Sequence, residues 1–167
     1  MKIGCVLVLC LLLLSGCRTQ EVMETVSDEV LIPVMAQERT LNLQLPETAA
    51  EPVFSEDGKD RLYFCDGYTL TIQTLPGGNL DRTLRDACGY SSGELTVLKT
   101  IQGTSKRYDW VYSCAGEAEE QVGRAAILDD GLCHYCVTAM APESDAGRLE
   151  QQWDRIFASL SLSDQAS

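Results

Sequence analysis

Two Asp-Gly dipeptides, Asp66-Gly67 and Asp130-Gly131, each sit between runs of strand-forming residues. Asp-Gly suits the positive-φ backbone of a tight hairpin turn, so each pair marks a point where an extended chain doubles back. A chain with two such reversals builds antiparallel sheet. Beyond Gly67, Tyr68, Leu70 and Ile72 alternate with Thr69, Thr71 and Gln73, the pattern of a strand buried on one face. The same alternation places Tyr108, Trp110, Tyr112 and Cys114 on one face of a later strand. Leu41, Leu43 and Leu45 predict a short strand before the first hairpin. Leu95, Val97 and Ile101 predict one inward face in 94–103. The segment after Gly131, LCHYCVTAMAP, is the return strand of the second hairpin.

Two segments switch to helical spacing. In 79–90, Asn79 is suited to the N-cap, Leu80, Leu84 and Ala87 or Cys88 share a face, and Gly89 suits the position just past the end. Near the C-terminus, Leu149, Trp153, Ile156 and Leu160 form a stripe in a helix opening at Glu143 or Ser144. Trp153 in that stripe is expected to pack in the core. The element order (strands, helix, antiparallel strands, helix) predicts an α+β fold, an antiparallel sheet covered by helices.

The first residues are of another kind. Lys2 is followed by an unbroken apolar run from Ile3 to Leu14. Twelve residues are too few to span a bilayer, which takes about 20, and match the apolar core of a signal peptide. The run ends in Leu14-Ser15-Gly16-Cys17, which resembles the bacterial lipobox. That resemblance implies cleavage before Cys17 and acylation of its thiol, leaving the protein anchored to the outer, extracytoplasmic face of the cell membrane through N-terminal acyl chains. The expected organisation is a cleaved signal peptide over 1–16, a lipidated Cys17 with an acidic tether over 17–40, a domain over 41–162 and a disordered tail over 163–167. Within the tether, the apolar patch Val30–Met35 reads as linker that docks loosely.

Loss of 16 residues from 167 leaves 151, with 25 acidic residues against 12 basic ones, a formal charge of −13. Such a surface repels phosphates, which argues against a nucleic-acid partner.

The string YDWVYSCAGEAEEQVGRAAILDDGLCHYCVTAMAP, followed by RLEQQWDRIFASLSL, resembles the PsbP-like superfamily. The resemblance covers roughly 41–162 and is one of element order. It implies an α/β/α sandwich and a non-catalytic binding or scaffold role. The expected partner is an envelope protein or a small ligand. No functional residue is carried over from it.

The inventory of reactive groups is sparse. His134 is the one histidine, and any Ser-His-Asp or Cys-His arrangement has to use it. Its place inside a strand favours a structural role over that of a general base. No G-x-S-x-G, H-E-x-x-H, G-x-G-x-x-G or P-loop motif is present, so neither a catalytic site nor a cofactor is expected. Asp57 and Asp60 around Gly58 lack the spacing of a calcium loop, and the glutamates of 115–121 read as a solvated turn. Tyr108, Trp110 and Tyr112 are either core or the wall of a ligand pocket.

Apart from Cys17, the chain beyond the signal peptide carries Cys65, Cys88, Cys114, Cys133 and Cys136, all available for disulfides in an exported protein. The C-x-x-C of Cys133 and Cys136 falls on a strand. Three residues apart, the two point to opposite faces with Cα atoms about 10 Å apart, beyond disulfide reach. Neither a second C-x-x-C nor an H-x-x-H completes a zinc site. The reading is therefore a lipid-anchored, non-catalytic binding module. The alternatives are a thiol-redox or metal-linked module, or a hydrolase using His134.

Overall fold

The computed structural model describes residues 38–164. The signal segment, the lipobox residues Leu14 to Cys17, the patch Val30–Met35 and residues 165–167 lie outside the described residues. The elements are β1 (Thr40–Asn42), β2 (Val53–Phe54), β3 (Arg61–Cys65), β4 (Tyr68–Pro76), α1 (Leu80–Cys88), β5 (Leu98–Gln102), β6 (Ser105–Ala115), β7 (Glu120–Asp129), β8 (Cys133–Pro142), α2 (Glu143–Ala158) and β9 (Ser161–Ser163).

Seven strands form one antiparallel sheet in the order β2-β3-β4-β8-β7-β6-β5. The chain builds one side as far as β4 and crosses through α1 to the far edge at β5. It then returns by three hairpins, β5-β6, β6-β7 and β7-β8, until β8 closes on β4. Both Asp-Gly signals fall where the sequence places them, with Gly67 at φ 82° and Gly131 at φ 93°. The fold is α+β, as the element order predicts.

Strand alternation sends side chains to two cores. On one face, Tyr108, Trp110, Tyr112, Ala125, Ile127 and Cys136 pack under Leu84 of α1. On the other, Leu70, Ile72, Ala126, Leu128, Tyr135 and Val137 pack against Leu149, Trp153, Ile156 and Phe157 of α2. Trp153 is core as expected, edge-to-face on Tyr68 with ring centroids 6.0 Å apart. Strand β8 is covered on both sides, which is why it reads as a nearly continuous apolar run. Gly123 gives the ring of Tyr112 its place, since a Cβ there would collide with that ring.

Helix α1 starts and stops as its sequence directs. Asn79 Oδ1 accepts from the Arg82 amide at 3.0 Å, and Gly89 takes the left-handed conformation at φ 81°, its N–H donating to the Arg85 carbonyl. A cap of this kind contributes about 1 kcal/mol. Helix α2 starts at Glu143 directly after Pro142 and has no side-chain cap. Ser144 donates its hydroxyl to Glu119 instead.

Two expectations shift. Residues 94–97 are not strand, and Leu95 and Val97 reach the α1-side core from a loop. Ile101, expected inward, is 69 % exposed on the edge strand β5, every residue of which is exposed. Leu41 lies in β1, which pairs with β9 as a separate two-stranded sheet, Thr40 opposite Ser163.

Candidate functional site

The aromatic row is interior. Tyr108, Trp110 and Tyr112 are 9 %, 3 % and 8 % exposed and lie beneath α1. The alternation that singles them out arises from packing, and they do not line an open pocket.

His134 is also interior. Its Nδ1 lies 2.7 Å from Thr83 Oγ1 on α1, and its Nε2 lies 3.8 Å from Asp129 Oδ1 on the neighbouring strand β7. Asp129 in turn accepts from the Gly131 amide at 2.8 Å and faces Lys106 Nζ at 3.6 Å. Burial pushes the imidazole below its ordinary value, against the pull of Asp129 and Asp130, which favours the neutral ring. Hydroxyl, imidazole and carboxylate follow in series, but Thr83 and His134 are 2 % and 1 % exposed. The arrangement ties α1 to the sheet. Thr83 and Asp129 escape sequence reasoning because they become neighbours only through register and helix packing.

The thiols divide between the two faces. Cys133 and Cys65 lie against the α2-side core, and Cys88, Cys114 and Cys136 against the α1-side core. All five are free. Burial raises the thiols of Cys65 and Cys133 and pushes Cys136 up to about 12. Such thiols are protonated at neutral pH and weakly nucleophilic. Cys88 donates to the Leu84 carbonyl at 3.1 Å, and Cys114 Sγ lies 3.8 Å from Met140 Sδ.

Among the described residues no group of three or more His, Cys, Asp or Glu side chains is placed to hold a metal ion. Asp57 is used locally. It accepts from the Ser55 hydroxyl at 2.6 Å and the Lys59 amide at 3.2 Å, bonds that lower its carboxyl pKa. No described helix is long and apolar enough to cross a membrane.

An open cleft of about 530 Å³ lies on the outer side of α2. Its helix wall carries Arg148, Gln151, Gln152 and Arg155, at the i, i+3, i+4, i+7 spacing that places them on one stripe. The segment 44–48 that follows β1 forms the other wall, with Gln44, Leu45, Pro46, Glu47 and Thr48, and Ile156 also lines the cleft. That wall is pinned at Gln44 and just past its other end. The Gln44 amide donates to Ser159 Oγ at 2.8 Å, and the Ala50 amide to the Phe64 carbonyl at 2.9 Å. A turn closed by Ala49 N–H to the Pro46 carbonyl, 3.0 Å, shapes it between.

The charges in the cleft are unevenly matched. Arg148 pairs with Asp145 at 3.2 Å and reaches Asp66 at 4.0 Å. Arg155, like Arg61, has no ion-pair partner among the described residues, whereas Arg39, Arg82, Arg85, Arg107 and Arg124 each have one. Gly67 makes room for Arg148, because a Cβ there would lie 2.5 Å from its Nη2. A second groove of about 340 Å³ at Val111, Arg124 and Trp153 is differently charged. There Arg124 is paired with Asp154 and stacked 4.8 Å over Phe157. The polar stripe of α2 was readable as the complement of its apolar stripe. Nothing local to the sequence shows that 44–48 faces it.

No family model matches the chain, and no curated protein matches it. Solved structures are similar at low identity. A crystal structure from Bacteroides thetaiotaomicron matches with a TM-score of 0.51 and 11 % identity, over 76 % of this chain and 46 % of that one. This chain therefore spans less than half the length of that protein. LpqN, involved in cell envelope biogenesis of Mycobacterium tuberculosis, matches at 0.48 and 10 % identity over 77 % and 86 % of the two chains. A Pseudomonas aeruginosa protein of unknown function matches at 0.46 and 13 % identity, over 81 % and 90 %. The first of these likenesses concerns the fold alone.

Proposed function

We propose that this protein is a lipid-anchored, extracytoplasmic binding module of the PsbP-like kind, and that it engages its ligand or partner at the cleft between α2 and 44–48. The anchoring rests on Leu14-Ser15-Gly16-Cys17 behind a twelve-residue apolar run. The single observation that carries the binding role is the cleft itself. Its volume lies in the usual range for ligand sites, about 300–1,000 Å³, and it combines amide and guanidinium donors with apolar Leu45, Pro46 and Ile156. The buried His134 and the protonated buried thiols argue for a non-catalytic role.

Two measurements test the two halves. Cys17→Ala should release the protein from the membrane fraction, and a variant that stays there overturns the anchoring. A photo-cross-linker at Gln151 should capture a specific partner or ligand in intact cells. One at Asp86, on the opposite helix, should not. Equal capture at both positions, or at neither, overturns the binding role of the cleft.

A further inference from the structure

We infer that Cys114 and Met140 form a binding site for a soft monovalent metal ion, Cu(I). The site is separate from the cleft beside α2 and stands without the reading given to that cleft.

Cys114 lies on β6 and Met140 on β8, with β7 between them. Met140 is opposite Gly123, which is opposite Tyr112, and cross-strand partners share a face. Met140 therefore stands on the α1 side of the sheet, as Cys114 does. The two sulfurs are 3.8 Å apart. With metal–sulfur bonds of about 2.3 Å, sulfurs at that separation subtend about 110° at an ion bound to both. That angle belongs to neighbouring corners of a trigonal or tetrahedral site, so a further position is left for a ligand from outside. There is room for one. Both residues are partly exposed, and Cys114 lines an open cavity of about 360 Å³ together with Tyr90 and the loop 115–120. The Tyr90 hydroxyl fixes that wall by donating to the Ser113 carbonyl at 2.6 Å.

The donor set selects the ion. Thiolate and thioether are soft ligands, which suit Cu(I). Calcium and magnesium take oxygen ligands, and zinc sites are built from thiolate, imidazole and carboxylate without thioether. The other thiols of this face are engaged elsewhere. Cys88 donates to the Leu84 carbonyl at 3.1 Å, and the buried Cys136 lies 3.9 Å from the Thr138 hydroxyl. Glu117, Glu119 and Glu120 line the cavity with no lysine or arginine among them. None of the three has an ion-pair partner among the described residues. Their field favours the entry of a cation, and the sulfurs decide which one stays. On binding, Cys114 Sγ releases its proton to solvent and a sulfur–copper bond takes its place. Met140 Sδ contributes a lone pair. The copper remains Cu(I), so no oxidant or reductant takes part.

The test is an anaerobic titration of the full chain in detergent with Cu(I) delivered as its bicinchoninate complex. The wild type should withdraw one more copper per chain from the chelator than Cys114→Ser does. Met140→Leu, which conserves side-chain volume, should hold that copper about tenfold more weakly or worse. Cys88→Ser and Cys133→Ser should bind as the wild type does, and excess Zn(II) or Ca(II) should not displace the copper. X-ray absorption at the copper edge, with one equivalent loaded, should show one sulfur neighbour fewer in Met140→Leu than in the wild type. Unchanged thermal unfolding of Met140→Leu separates lost binding from lost fold, and that variant decides the matter where Cys114→Ser fails to fold. Equal copper uptake by the wild type and Cys114→Ser, full affinity in Met140→Leu, an equal loss in Cys88→Ser, or displacement by Zn(II) overturns the assignment.

Discussion

The hydroxyl of Thr83 on α1 lies 2.7 Å from Nδ1 of His134, a residue 51 positions later and on the central strand β8. It is the polar contact that fastens the shorter helix to the sheet. On one side of the ring stands that hydroxyl, on the other the carboxylate of Asp129. Removing any member leaves a buried polar group without its partner.

His134 gives the fold a dependence on acid. Its folded-state pKa is depressed below the ordinary imidazole value of about 6.5. The unfolded chain therefore binds the proton more readily than the folded one. The stability that this group contributes is fully present above about pH 6.5 and is lost as pH falls toward the folded pKa. Thermal unfolding measured from pH 7.5 to 5 should show that loss, and His134→Gln should flatten it. His134→Ala should cost about 2–4 kcal/mol at pH 7.5, from the unpaired Thr83 and Asp129 and the cavity left behind. An unfolding midpoint in His134→Gln with the same slope against pH as the wild type contradicts this.

Gly67 serves the turn and the cleft together. Its φ of 82° belongs to the left-handed region, and a side chain there also meets Arg148. Gly67→Ala should destabilise by about 1–2 kcal/mol in urea unfolding, most of it from the backbone, because the end of an arginine can move aside. Gly67→Asn should cost less, as Asn tolerates that conformation. If Gly67→Ala equals the wild type in stability, the turn is not held as described.

The positions of the thiols restrict their pairing. Tyr108, Ile127 and Cys136 are cross-strand neighbours, and Cys114 lies six residues further along β6, about 20 Å away. Cys65 and Cys133 sit beside opposite ends of β4, opposite Tyr68 and Pro76 respectively, about 27 Å apart. Neither pair meets the 4.4–6.8 Å that a bridge requires between Cα atoms. Any intramolecular disulfide on the α1 side must include Cys88. Peptide mapping of the oxidised protein should find no Cys114–Cys136 or Cys65–Cys133 bridge, and Cys136 should stay unmodified by a maleimide until the chain is unfolded. Either bridge, or rapid native labelling of Cys136, contradicts the packing.

Much of this fold is legible in local sequence. Asp66-Gly67 and Asp130-Gly131 name their hairpins because a positive φ is a property of the residue that adopts it. Asn79 and Gly89 bracket α1 for the same kind of reason. The strand reading of Cys133 and Cys136 holds because alternate residues of any strand face opposite ways. Ile101 is where such reading fails: alternation reports which residues share a face, but whether anything covers that face is decided by packing, and at the edge strand β5 every residue is exposed.

By itself the sequence determined the two helices, the long strands around the Asp-Gly turns, their order and the apolar stripe of α2, since turn chemistry, capping and periodicity act over a few residues; the short strands β2 and β9 it did not mark. Tertiary structure decided the rest. It turned Tyr108, Trp110 and Tyr112 into core, set Thr83 and Asp129 on either side of His134, and laid 44–48 along Arg148, Gln151, Gln152 and Arg155. Those neighbours lie between five and more than a hundred residues apart in the chain. Strand register and helix packing bring them together, and no local preference encodes either.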